Sequence, residues 1–306
     1  MKKKKIKHSA AAVNSPLVSG PIRKCFPIFM LPTFLAFCMG FVWPFIQGLY
    51  LSFCKFTTVN SAEFVGIDNY IKALQDSGFR YSFFYTALFA LVSIVAINVF
   101  AFTVAYLLTQ KIRGANIFRT VFFMPNLIGG IVLGYIWSMI FDGFLQKYGT
   151  FLLAETEYGF WGLLILMCWQ QVGYMMIIYI AGLQSVPEDM IEAAVIDGAS
   201  KWQILWKVTI PNVMSSITIC IFLTLTNSFK LFDQNLALTG GAPVAFGADG
   251  SMVNTTEMLA LNIFKTFYAS ANSRGVAQAK AVMFFILVAV LALAQLKFTR
   301  EKEVQQ

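Results

Sequence analysis

Charge is scarce in this chain. Only 12% of the 306 residues are Asp, Glu, Lys or Arg, against roughly 25% in soluble domains. With 58% hydrophobic residues, the chain cannot cover a water-facing surface of ordinary size. Histidine is nearly missing: His8, in a lysine-rich stretch, is the single one, so a His-centred catalytic triad has nothing to build on. The five cysteines, Cys25, Cys38, Cys54, Cys168 and Cys220, form no Cys-x-x-Cys pair. They suggest neither a metal site nor a disulfide framework and read as small hydrophobes in apolar runs. No Gly-rich loop ends in Gly-Lys-Ser/Thr, so ATP hydrolysis is not expected of this chain. No nucleophile–base pair stands out, and no internal repeat supports an inverted-repeat transporter. An enzyme is therefore not expected, and no cofactor or metal is expected on the chain itself.

What is present is length of apolar sequence. About 20 mostly apolar residues cross a bilayer as a helix, and six segments qualify: 26–53, 84–108, 118–140, 160–183, 213–238 and 280–298. The reading is an all-α polytopic membrane protein with six spans. The first span contains Pro27, Pro32 and Pro44 and should be bent or partly interfacial at its start. Its apolar run is too long for a cleaved signal peptide. The flanks are a basic tail over 1–25 and a short tail over 299–306.

The net charge of +8 invites a nucleic-acid reading. The positive residues lie mainly between apolar runs, however, so they orient the chain in lipid, and no nucleic-acid partner is expected. Fifteen Lys and Arg fall in or just beside the tails and the loops 110–117 and 184–212, and six in the loops 55–83, 141–159 and 239–279. Both termini are expected in the cytoplasm of a cell with this chain in its cytoplasmic membrane. Within the outer loop 239–279, the periodicity of Thr255–Tyr268 predicts a helix lying on the outer surface.

The inner loop 184–212 has structure of its own. Ser185 with Glu188 reads as a capping box, Pro187 suits a first turn, and Glu188 and Asp189 favour a helix N-terminus. Asp197-Gly198 permits a turn. Ser200 can cap a second stretch, 201–208, whose Trp202, Leu205 and Trp206 share one face. The loop reads as a helix–turn–helix, with Glu192 able to anchor a partner and Ala193 and Ala194 allowing close approach. A loop resting on the membrane reads equally well from these residues.

Glu192-Ala193-Ala194, three residues, Gly198, nine residues, then Val208-x-Ile210-Pro211 resembles the EAA loop of binding-protein-dependent ABC importer permeases. The family ends its pattern in Ile-x-Leu-Pro, so Val208 and Ile210 are conservative departures. The resemblance implies the type I importer permease fold, with Glu192, Ala193, Ala194, Asp197 and Gly198 coupling to a cytoplasmic ATPase dimer that holds ATP and Mg. It also implies a second permease subunit and an extracellular solute-binding protein. Phe232-Asp233 and Leu238-Thr239-Gly240-Gly241-Ala242-Pro243 are similar to the signature of maltose-type carbohydrate permeases, with Ala242 replacing a glycine. A sugar or oligosaccharide is the implied solute, with a polyol phosphate as the alternative; a stand-alone secondary transporter is the reading from another class. Positions matching the family's sugar contacts are Gln170, Gln171 and Tyr174 on one helix and Thr224, Asn227 and Ser228 on another. The same residues can instead hydrogen-bond a neighbouring helix. Lys230 and Asp233, three apart, are spaced to pair.

Overall fold

The computed structural model describes residues 21–110, 112–247 and 250–300. The expected tails lie largely outside this range: residues 1–20, with His8, and 301–306 are not among the described residues.

The chain divides at Tyr50 into two units. In the first, α1 (Pro21–Phe37) passes through one π-helical turn, Cys38–Val42, into α2 (Trp43–Leu51). Pro44 explains that turn. It has no N–H to give the Gly40 carbonyl, and the Trp43 N–H reaches back five residues to Cys38 O. Phe37, Phe41 and Phe45 stack along one face with centroids 5.3 and 6.3 Å apart. Met30–Leu51 is long and apolar enough to cross a membrane.

The second unit opens with a hairpin of β1 (Cys54–Lys55) and β2 (Glu63–Phe64) and α3 (Asp68–Gln75). The Asn69 amide donates to Ser52 O and Cys54 O, each at 2.9 Å, and so closes this cap. Two long helices follow, α4 (Ser77–Thr109) and, after α5 (Ala115–Phe123) and α6 (Gly130–Leu145), α7 (Thr156–Gln184). The core lies between them: Phe89, Ile97, Ala101 and Ala105 of α4 meet Leu163, Leu166, Met167 and Met175 of α7. The four-residue spacing of Ile97, Ala101 and Ala105 puts small side chains on one face and draws the helices together. Asp76 caps α4 by accepting from the Phe79 N–H. The helix therefore begins seven residues before the expected span, because its first turns pack on protein rather than lipid.

Two expected spans are not single helices. Residues 118–140 divide into α5, a 3₁₀ turn at Met124–Leu127, and α6, with a bend of 101° between the halves. Pro125 and the Gly129-Gly130 pair supply the break. Residues 213–238 divide into α11 (Met214–Phe229) and α12 (Asp233–Leu238), separated at Lys230–Phe232. Before α11 come α8 (Glu188–Ile196), α9 (Lys201–Ile204), a π-helical stretch Leu205–Thr209, and α10 (Ile210–Asn212). The helical run Lys201–Asn212 is bent 71° from α11. Among the described residues, four helices are long and apolar enough to span a membrane, and six if each bent pair counts once.

The segment after α12 forms a hairpin of β3 (Val244–Phe246) and β4 (Met252–Asn254), then α13 (Leu259–Ala269) and α14 (Arg274–Arg300). The helix expected over 255–268 exists, but it does not simply lie on a surface. Leu259, Leu261 and Asn262 are buried, with Leu259 packed beside Phe79, Ala90 and Phe229.

Glycine sets the closest approaches. A methyl group at Gly134 would lie 2.5 Å from Ala237 Cβ, so α6 and α12 touch through backbone. At Gly173 it would collide with Phe122 O and the backbone beyond it. Gly173→Ala is expected to destabilise the protein by about 1–3 kcal/mol, read as an earlier midpoint in a thermal scan in detergent. Gly143→Ala, whose added methyl meets nothing within 4 Å, should leave the midpoint in place.

Candidate functional site

The turn between α8 and α9 is folded and open. Pro187 occupies the position before α8 and offers no side-chain cap. Ser185 does not cap this helix as expected; its hydroxyl donates 2.7 Å back to Gly182 O at the end of α7. Glu188 and Asp189 stand in the first turn of α8, where the helix dipole favours negative charge. Gly198 has φ +78°, a left-handed conformation that a β-branched residue adopts only with strain. The Ala199 N–H bonds Ala194 O and the Gly198 N–H bonds Val195 O, closing the turn. Ser200 then caps α9 through a complete capping box with Gln203. Glu192, Ala193, Asp197 and Gly198 are exposed and Ala194 is half-buried. Beside them Val195 is 58% and Ile196 85% exposed.

The polar residues of α7 and α11 separate into two groups. Thr224 and Ser228 are fully buried. Thr224 donates to Cys220 O and accepts from the Asn98 amide, and Ser228 donates to Thr224 O. Tyr179 donates 2.7 Å to Asn98 Oδ1. Asn98, Tyr179 and Thr224 thus tie α4, α7 and α11, while the Ser228 hydroxyl turns back to its own helix. Gln171, Tyr174 and Asn227 remain half-buried, and the Asn227 amide donates 3.3 Å to Gln171 Oε1.

Gln170 has a third role. Its amide nitrogen donates 3.1 Å to Ile128 O, a carbonyl freed by the break before α6. Its oxygen accepts 2.7 Å from Gln234, in the first turn of α12. Both helix breaks therefore converge on one buried side chain. A methyl group at Gly130 would lie 2.8 Å from both Asp233 Cβ and Gln234 Cδ, so the two breaks are in contact. Among the described residues no ion pair joins Lys230 to Asp233: the helix break between α11 and α12 falls between them and removes the helical spacing.

Sequence reasoning passed over a network at the other end of the molecule. Buried Lys280 donates to Asp76, Asn262 and Thr266 at 2.6, 2.9 and 2.8 Å. Asn262 donates to Glu257 at 2.7 Å, and Glu257 pairs with Lys265 at 2.6 Å. Lys265 also donates to Gly240 O within the Thr239-Gly240-Gly241 turn. The signal was the acidic and amide residues at helix-spaced positions around a lysine at a span edge. Lys265, one of the positive residues counted in loop 239–279, is thus held by a carboxylate, as is Lys280 at the span edge.

A family model described as binding-protein-dependent transport system inner membrane component matches residues 99–301. The chain is 43% identical over 286 residues, 91% of its length and 94% of the relative's, to the probable starch degradation products transport system permease protein of Thermoanaerobacterium thermosulfurigenes. It is 31% identical over 86% of its length, and 91% of the relative's, to the multiple sugar-binding transport system permease protein of Streptococcus mutans. Its fold is similar to that of a chain in the crystal structure of a bacterial ABC transporter involved in import of the acidic polysaccharide alginate. The TM-score is 0.76 at 17% identity, covering 92% of this chain and 97% of that one.

Gln170→Leu separates a structural clasp from a solute contact. It leaves a buried carbonyl and a buried amide without their partner, a loss of about 1–3 kcal/mol. The expected result is a lower thermal midpoint in detergent without any solute present. An unchanged midpoint would return Gln170 to the solute path.

Proposed function

The chain belongs to the family of binding-protein-dependent transport system inner membrane components, and from that premise we propose that it carries a sugar or oligosaccharide inward as one of two permease subunits of an ATP-driven importer. It is a multi-pass membrane protein of the type I importer fold. The sugar reading rests on relatives whose names assign them starch degradation products and multiple sugars. In this reading a solute-binding protein delivers the sugar on the outer side. A second permease completes the pore, both termini lie in the cytoplasm, and a separate ATPase dimer holds ATP and Mg.

The observation that carries the coupling role is the open turn of α8. Its acidic residues and the exposed Val195 and Ile196 form a small mixed surface, suited to a groove on a partner. Glu192 supplies charge, Ala193 and Ala194 permit close approach, and Asp197-Gly198 fixes the direction in which the surface points. Gln171, Tyr174 and Asn227 are the residues proposed to meet sugar, since amides and hydroxyls bond sugar hydroxyls and a phenol ring stacks on a sugar face. Thr224, Ser228 and Gln170 support that lining from behind.

Glu192→Lys reverses a charge on the coupling surface. ATPase recovery with the purified permease should fall sharply while the permease itself inserts in normal amount. Gly198→Val should abolish transport, because strain of about 1–3 kcal/mol at a left-handed position re-aims α8 against α9. Normal ATPase recovery together with normal transport in both variants would remove the turn from coupling.

Asn227→Leu and Gln171→Leu should each weaken sugar uptake several-fold, from the loss of a bond worth about 0.5–1.5 kcal/mol, with ATPase recovery unchanged. Uptake equal to wild type in both would move the solute path off this face.

A further inference from the structure

The inner loop is divided by charge as well as by its turn. The first half, α8, carries Glu188, Asp189 and Glu192, with Asp197 following at its end. The second half, Lys201–Asn212, contains two lysines and no acidic residue. It leaves α11 at a bend of 71°. A span tilts about 20° from the bilayer normal on average, so a segment leaving its end at this angle runs nearer the plane of the membrane than across it.

The faces of this segment are distinct. Thr209 is buried, and Ile204, Leu205 and Val208 are half-buried toward the chain. Trp202 and Trp206, four residues apart, are 68% and 54% exposed. Their rings meet edge to face with centroids 5.6 Å apart. Lys201 and Lys207, on either side, are exposed. Two large indoles open to solvent are an unfavourable arrangement in water. At headgroup level they are favoured, since the apolar ring enters the lipid boundary while the N–H remains hydrated. Lysines at that depth meet the negative potential of anionic lipid, which attracts the basic half and repels the acidic one.

We propose that residues 201–209 form a membrane-surface anchor. Trp202 and Trp206 sit at the headgroup level of the leaflet beside the coupling turn, and Lys201 and Lys207 engage its anionic phospholipids. The anchor sets the height and angle at which α8 stands off the bilayer. It rests on α11 crossing the membrane and not on the solute or the ATPase reading.

The test compares wild type with the double variant Trp202→Phe, Trp206→Phe in nanodiscs whose lipids carry bromine high on their acyl chains. The emission that the variant lacks, from two of six tryptophans, should be quenched by bromine and shielded from acrylamide. That shielding should strengthen when phosphatidylglycerol is mixed with phosphatidylcholine, and the dependence should vanish in Lys201→Gln, Lys207→Gln. The ATPase should co-purify with the tryptophan variant as it does with wild type. Emission open to acrylamide and untouched by bromine would overturn the anchor, as would shielding that arises only when the ATPase is added. A wild type indifferent to phosphatidylglycerol would overturn the anionic-lipid contact. Coupling through Glu192 has its own readout, ATPase recovery, so the two ideas fail separately.

Discussion

A helix that breaks inside a bilayer exposes backbone groups that no water is present to satisfy. That constraint governs the arrangement of this chain. The bend before α6 frees the Ile128 carbonyl, and the gap at Lys230–Phe232 interrupts the fifth apolar segment. The two interruptions are placed against each other. Gln170 accepts from one and donates to the other, and Gly130 and Gly134 allow α6 to press on α12. Each break alone would be a costly defect. Brought together, they meet at one buried side chain.

The sequence makes the long apolar elements legible, because length and composition decide whether a segment enters lipid. It is less informative about whether such a segment stays straight. Pro125 and Gly129-Gly130 were visible punctuation, yet the apolar residues around them hid the 101° bend under a continuous hydrophobic signal. The turn between α8 and α9 is legible where local chemistry governs it: Gly198 is left-handed and Ser200 caps with Gln203. Ser185 was misread because its hydroxyl has a competing acceptor, Gly182 O, one turn behind it.

Polar residues within spans were the hardest to interpret. Gln170, Thr224 and Ser228 look the same in sequence as Gln171 and Asn227, since all are amides or hydroxyls amid apolar neighbours. Three-dimensional position separates them. Thr224 is bonded within a three-helix junction, while Asn227 and Gln171 meet at a half-open face. A polar side chain can serve either adhesion or passage in lipid, and only its neighbours decide which.

The Asp76–Lys280 pair joins residues 204 positions apart. Asp76 also caps α4, an early helix, whereas Lys280 belongs to α14, the last. A chain made from its N-terminus therefore inserts α4 long before the partner of its capping carboxylate exists. Until then that carboxylate lacks the lysine that holds it in the finished fold. With the final helix, Lys280 reaches Asp76, Asn262 and Thr266 together and ties the start of α4 to α13 and α14. The last helix thus completes a contact whose first half is made near the start of the chain.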